Sequence, residues 1–216
     1  MRRGFVKRVI FYILGLLLLA FGVALTPKAN LGVAAISSIA FAGSMITPLT
    51  FGMCMTIFQI FCVCAQLVLK RRMTVKLALQ LPVSYAFGFL IDFFSNLLVF
   101  PPPGIGRGIL LMTAGILIIA LALRIHFGAS LMLMPPDALV RDLGEIIGWP
   151  LSRTKFVFDT SVVALSAAST LVIMGDAFIA VGLGTIMSML LVGPAIGFYQ
   201  KVFPFFDVPC GDFQTP

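Results

Sequence analysis

Long apolar runs alternate with short charged segments along the whole chain. The six runs cover residues 6–26, 51–69, 77–99, 106–124, 154–175 and 178–199. At 1.5 Å per residue, ~18–23 residues are enough to cross the ~30 Å hydrocarbon layer of a membrane. Lipid offers the backbone no hydrogen-bond partners, and the alternation typical of a membrane β-barrel is absent. The predicted fold class is therefore all-α, a polytopic membrane protein with six transmembrane helices.

Composition supports a membrane protein and argues against a nucleic-acid-binding one. The chain is 60% hydrophobic and 11% charged, whereas soluble domains are near half apolar and a quarter charged. The net charge of +7 arises at the ends of apolar runs, where membrane topology puts basic residues. Because no basic stripe with interleaved aromatic residues occurs, we expect the lipid bilayer, and no nucleic acid, as a partner.

The distribution of Lys and Arg predicts the orientation. With the N-terminus inside, only Lys28 and Arg107 of the 15 basic residues lie outside, which leaves 13 inside. This bias predicts that both termini are cytoplasmic. The basic start, residues 1–8, also resembles that of a secretory signal. The five further apolar runs favour an uncleaved first span instead.

Two connections, 27–50 and 125–153, are longer than the others, and each follows the first span of a group of three. The predicted organisation is therefore a first three-helix repeat at 1–100, a Pro-rich link at 101–104, a second repeat at 105–200 and a cytoplasmic tail at 201–216. Three spans per repeat place the second half upside down relative to the first. Such inverted repeats recur in transporters, although duplication can also simply build a stable bundle.

Faint sequence echoes support a duplication. Pro48-Leu-Thr50 precedes the second span, and Pro150-Leu-Ser152 precedes the fifth, at an offset of 102. Gly88-Phe-Leu-Ile-Asp-Phe-Phe94 in the third span resembles Gly193-Pro-Ala-Ile-Gly-Phe-Tyr199 in the sixth, at an offset of 105.

The long connectors contain segments too short to span and too apolar to float in water, at 30–46 and 136–147. Each is predicted to be a short re-entrant or interfacial helix, and both alternatives stay open. Pro135-Pro136-Asp137 is typical of a helix start, with an acid near the positive end of the dipole. Transporters place substrate contacts at broken helices of this kind, so Asp137 is a candidate site residue.

An aspartate in mid-membrane costs ~2.5–3.5 kcal/mol on insertion scales, so such residues point to function. Asp92 in the third span is the strongest candidate for a cation ligand, a proton carrier or a substrate anchor, supported by Asn96 one turn later. Among the basic residues, only Lys28 or Arg107 could reach the membrane depth of Asp92, by extending its side chain along the helix.

Asp159 in the fifth span is the second candidate aspartate. Arg153 and Lys155 are nearby, and Arg153 could also meet an acidic group of a substrate. The alternative is a satisfied ion pair that holds the fifth span to the fourth.

Gln59 and Gln66 lie seven residues apart on one face of the second span, and Asp159 and Ser166 repeat this spacing in the fifth. These polar stripes face a bundle interior or a cavity. Gln59 is therefore a candidate pathway residue, with plain interhelical hydrogen bonding as the alternative.

Catalytic and metal-binding motifs are lacking. His126 and Ser130 are four residues apart, but a pair without a third group is weak evidence for hydrolysis, and we expect His126 to be interfacial. The cysteines are expected to be reduced packing residues; they are Cys54, Cys62, Cys64 and Cys210. The sequence thus predicts no enzyme, no cofactor and no metal.

The chain resembles the YczE/YyaS/YitT group of bacterial membrane proteins, and YczE-like members most. The resemblance rests on Ala29-Asn-Leu-Gly32, Gly88-Phe-Leu-Ile-Asp92, Pro135-Pro-Asp-Ala-Leu139, Gly182-Leu-Gly-Thr185, Gly193-Pro194, and Asp159 following Arg153. It implies a multi-pass protein of the bacterial plasma membrane and leaves the substrate open.

The resulting hypothesis is a small-solute transporter or permease, coupled to a proton or another cation. Its alternatives are a membrane-embedded substrate-capture subunit of a larger importer and a non-transporting accessory protein. A small molecule or ion is the expected partner, and homo-oligomerisation stays open.

Overall fold

The computed structural model describes residues 2–99, 101, 103–129, 131–176 and 180–202, and these residues form an all-helical bundle. Predictions that concern Phe100, Pro102, Ser130, Cys210 and the tail beyond residue 202 lie outside them. The described α-helices are α1 Arg2–Leu25, α2 Ser38–Ile46, α3 Phe51–Lys70, α4 Val75–Leu97, α5 Ile105–Ala129, α6 Pro135–Ile147, α7 Leu151–Met174 and α8 Leu183–Val202.

Six of these helices, namely α1, α3, α4, α5, α7 and α8, are long and apolar enough to cross a membrane. The prediction of six membrane-length helices is therefore confirmed. Boundaries differ by a few residues, since α7 begins at Leu151 and α8 at Leu183. The Thr50 side chain caps α3 by accepting from the Met53 amide, and the Thr74 side chain caps α4 in the same way.

The centre of the bundle is an antiparallel pair formed by α1 and α5. Gly15 of α1 lies against the backbone of His126, and Gly22 lies against Ile119. The absence of a side chain at both glycines allows the two helices to approach closely. α4 packs on the α1 side of this pair, and α8 packs on the α5 side.

The two long connectors have the same plan, an extended stretch followed by a short helix. α2 and α6 both pack against α3 and α7. Ser166 Oγ of α7 donates to the Ser38 carbonyl at 3.0 Å, eight residues before the end of α7 at Met174. At 1.5 Å per residue this places the start of α2 ~12 Å below that end. The start of α2 therefore lies inside the bundle rather than at its end.

The second connector enters the bundle from the opposite end. Gln66 Nε2 of α3 donates to the Pro135 carbonyl at 3.1 Å, close to the last turn of α3. α6 begins at Pro135 with Asp137 in its first turn, which confirms the predicted helix start. Its last residues, Ile146 and Ile147, are exposed.

Helix starts correct the register of one sequence echo. Thr50 is the cap of α3, but Pro150 is the cap of α7, and Ser152 lies inside that helix. The helices start at residues 51 and 151, so their offset is 100 and not the 102 read from the motif. Gly88 and Gly193 both lie inside their helices, α4 and α8.

Candidate functional site

A cavity of about 970 Å³ lies among α3, α4, α5, α6, α7 and α8. Its mouth is at the end of the bundle that carries the α3–α4 turn and the start of α7, which we call the basic end; the opposite end is the far end. Exposed residues line the mouth, among them Thr74 and Leu151. The charged residues that line the cavity are Lys70, Lys76, Asp137, Arg141, Lys155 and Asp159.

The segments that precede both short helices line the cavity. Ala34 and Ala35, just before α2, line it, as do Leu131, Met132 and Leu133, just before α6. Short helices that start inside a bundle direct free backbone N–H groups and a positive dipole end into it. This is the arrangement that transporters use at their binding sites.

Lys155 is shared by two carboxylates in the cavity wall. Its Nζ lies 3.1 Å from Asp137 Oδ1 and 3.6 Å from Asp159 Oδ2. α7 presents Lys155 and Asp159 on one face because they are four residues apart. Asp137 comes from the first turn of α6, where the helix dipole also favours its charge.

Asp159 is the less satisfied of the two carboxylates. Its Oδ1 is buried and has no hydrogen-bond partner among the residues that the structure describes. The expected ion pair between the fifth and fourth spans is therefore formed differently: Lys155 joins α7 to the connector helix α6. Nine residues into α7, Asp159 also lies deeper than the span limits predicted, because α7 starts three residues earlier.

Two glutamines fix the extended stretch that precedes α6. Gln66 Nε2 donates to Gln80 Oε1 at 3.2 Å as well as to Pro135, and Gln80 Nε2 donates to the Leu133 carbonyl at 3.4 Å. Both glutamines are buried and line the cavity. Gln80 was not among the residues predicted from the sequence, although an amide in the apolar third span is the same kind of feature that marked Gln66.

His126 is a buried wall residue, so the prediction of an interfacial side chain is wrong. It is 1% exposed, and its ring lies 4.3 Å from that of Tyr12 between centroids. The physical reason is the close approach of α1 at Gly15, which covers this turn of α5. Neither ring nitrogen has a hydrogen-bond partner of normal geometry within the described part of the chain.

Asp92 lies at the far end, away from the cavity. Its Oδ1 accepts from the Gly52 amide at 2.7 Å, and its Oδ2 accepts from Thr50 Oγ1. The carboxylate thus binds the first turn of α3, where free N–H groups and the dipole favour a negative charge. Asn96, one turn later, is exposed.

Two further candidates also lie outside the cavity lining. Gln59 is completely buried, and neither of its amide atoms has a partner among the described residues. Arg153 is exposed and stacks on the Trp149 ring at 4.3 Å. Of the six sequence candidates, the cavity therefore brings together Asp137 and Asp159.

The cysteines in the described part of the chain are free thiols. Cys54 and Cys62 are buried and Cys64 is exposed. Within the same residues, no group of three or more His, Cys, Asp or Glu side chains is placed to hold a metal ion.

Comparison with known proteins places the chain in a family. Residues 6–201 match the family described as "Family of unknown function (DUF6198)". No curated protein and no solved structure matches the chain. Because the match covers nearly all of the sequence, the chain belongs to this family.

Proposed function

We propose that this member of the family is a small-solute transporter built from two inverted three-helix repeats, with its substrate site in the cavity at the basic end. The observation that carries the proposal is the cavity itself. It reaches the starts of both short helices and holds a lysine shared between two carboxylates.

Equivalent contacts in the two halves support the repeat. Gly43 of α2 lies against the Cys54 side chain of α3, and Gly144 of α6 lies against the Thr154 side chain of α7. The two glycines are 101 residues apart and their partners 100 apart. The short helix of each half thus packs in the same way on the span that follows it.

Contacts between the halves follow the same symmetry. Gln66 of α3 donates to the Pro135 carbonyl, and Ser166 of α7 donates to the Ser38 carbonyl. In each half, a side chain of the span after the connector hydrogen-bonds the connector of the other half. The two donors, Gln66 and Ser166, are 100 residues apart. The antiparallel crossing of α1 and α5 is what a two-fold axis in the membrane plane requires.

The same offset relates Gln59 to Asp159. Gln59 is buried with no side-chain hydrogen-bond partner in the described part of the chain, and Asp159 lies in the cavity. In a transporter that alternates between two states, equivalent residues of the two repeats exchange environments. One of them is buried while the other lines the open cavity. The unpartnered amide of Gln59 is consistent with such a role, because a buried polar group needs a partner in some state.

Membrane placement and coupling complete the proposal. The basic end is cytoplasmic, as the Lys and Arg bias favours, and the similarity to YczE-like proteins, with the bacterial plasma membrane that it implies, belongs to the proposal. Asp137 and Asp159 share a single ammonium group, so one of them is free to take up a coupling proton or cation.

Purified protein tests this function in two steps. A thermal-shift panel of amino acids, vitamins, cations and small anions identifies ligands, and proteoliposomes loaded with each hit measure counterflow. We expect stabilisation that is lost in Asp159→Asn, together with saturable counterflow. A hit that never crosses the membrane, with co-purified ATPase subunits, would instead support a substrate-capture subunit.

A further inference from the structure

We infer that the cavity selects an amphipathic organic cation, a molecule with a single positive charge on an apolar body. This inference rests on the proposed function, since it names the substrate class of that site. It follows from the balance of charged groups in the cavity and from the nature of the walls.

The cavity contains a carboxylate oxygen, Asp159 Oδ1, to which no described group donates a hydrogen bond. Lys155 is 3.1 Å from Asp137 but 3.6 Å from Asp159, and Asp159 Oδ1 is buried with no hydrogen-bond partner among the described residues. Since α6 also stabilises Asp137 through its dipole, Asp159 is the carboxylate that a further cation would satisfy. A buried carboxylate without full pairing is costly.

Two of the basic residues toward the mouth, Lys70 and Arg141, have acidic partners. Lys70 Nζ lies 2.9 Å from Asp142 Oδ2, and Arg141 contacts both Asp142 and Glu145. Their charges are matched, so they give little attraction to an anion. Lys76 lies at the exposed mouth, and the buried Arg124 of α5 does not line the cavity.

The remaining walls are apolar and aromatic. α5 contributes Leu123 and Phe127, α7 contributes Phe156, and α8 contributes Val192 and Ile196. Such walls bury apolar surface, and ring faces attract cations. The cavity wall also includes His126, which is 1% exposed and whose ring nitrogens have no hydrogen-bond partner of normal geometry among the described residues. A molecule with an apolar body and one cationic group satisfies both kinds of wall.

A pair of probes with the same shape and opposite charge tests the inference. Tetraphenylphosphonium and tetraphenylborate are titrated into purified protein in nanodiscs, and binding is measured calorimetrically against empty nanodiscs. We expect saturable binding of the cation and none of the anion. Asp159→Asn should weaken cation binding about ten-fold or more, and Asp159→Glu should retain it.

Asp176→Asn is the matched control, because it removes one exposed carboxylate just beyond the end of α7, outside the cavity lining. It should leave binding unchanged. If Asp159→Asn fails to fold by size-exclusion elution and helical signal, Asp137→Asn takes its place. Equal or tighter binding of tetraphenylborate, no binding of the cation, or cation binding indifferent to the substituted cavity carboxylate would overturn the inference.

Counterflow separates this inference from the proposed function. If proteoliposomes move another class of solute but not the phosphonium, the substrate class is wrong and the transporter stands. If the phosphonium binds through Asp159 but never crosses the membrane, the substrate class stands and the transporter is wrong.

Discussion

In the proposed repeat, the α3–α4 pair corresponds to the α7–α8 pair, yet α3 and α4 pack more closely than α7 and α8. α3 and α4 pack along each other. A Cβ atom on Gly88 would come within 2.5 Å of the Gly52 carbonyl oxygen, while one on Gly193 of α8 would meet nothing within 4 Å. Gly193 and Ser152 of α7 instead line the cavity.

This difference indicates where the bundle is closed. At the far end, the Gly52–Gly88 contact and Asp92 hold α3 to α4. At the basic end, Ser152 and Gly193, which correspond to Gly52 and Gly88 in the proposed repeat, line the cavity instead. Two halves with the same order of elements but opposite packing are what an alternating-access transporter presents in one of its two states. In the proposed transporter, the structure described here corresponds to the state that is open at the basic end.

The largest expected effect breaks the closed contact. Gly88→Ala places a methyl group against backbone and should destabilise the protein by about 3 kcal/mol, the upper end for overpacking. Gly193→Ala, the matched control, meets open space in α8 and should leave stability unchanged or raise it by up to ~1 kcal/mol, because Ala favours a helix over Gly. Chemical denaturation in detergent measures both. Equal effects at the two glycines would mean that α7 and α8 are packed as closely as α3 and α4.

The next effect separates the two aspartates. Asp92→Asn weakens charge-assisted hydrogen bonds to the start of α3 and should cost about 2 kcal/mol of stability, with ligand affinity unchanged. Asp159→Asn should change stability less and abolish ligand stabilisation. The same denaturation curves, run with and without a ligand from the panel, compare them. If the ligand stabilised Asp159→Asn but no longer stabilised Asp92→Asn, the ligand site would lie at the far end instead of in the cavity.

The smallest effect compares two glutamines on one face of α3. Gln66→Leu removes hydrogen bonds to Gln80 and Pro135, and at ~0.6 kcal/mol for each bond within a membrane it should cost about 1 kcal/mol. Gln59→Leu removes no side-chain hydrogen bond to a described residue, so it should be neutral or slightly stabilising, but it should slow counterflow. Normal counterflow in Gln59→Leu would leave Gln59 without a role in the second state.

Much of the architecture could be predicted from the sequence, because membrane helices depend on composition and length. Local sequence patterns predict the six membrane-length helices, the helix start at Pro135 and the short helix in each long connector. The pairing of Lys155 with Asp159 was also predictable, since residues four apart share a helix face.

The sequence did not predict which residues come together in one site. Asp92 ranked first because burial in lipid is costly, yet the start of α3 provides its hydrogen-bond partners, and only tertiary packing brings those groups together. His126 was placed at an interface because nothing local shows that Gly15 of a distant helix covers it. The Lys155–Asp137 contact joins residues on different elements, which no single-helix pattern reveals.

Disulfide trapping tests most directly whether the α7–α8 gap is the open counterpart of the α3–α4 contact. Ser152→Cys with Gly193→Cys is oxidised in membranes, in a chain whose four native cysteines are replaced by alanine. A disulfide needs Cα atoms within about 7 Å, so the rate of cross-linking reports how often α7 and α8 approach each other at these two positions. Ser38→Cys with Ser166→Cys, adjacent in the structure, is the positive control.

The account predicts slow cross-linking of the Ser152–Gly193 pair, faster cross-linking of the control, and loss of counterflow that a reductant restores. Complete cross-linking of the control with none in the test pair after prolonged oxidation, in protein that still transports, would contradict it.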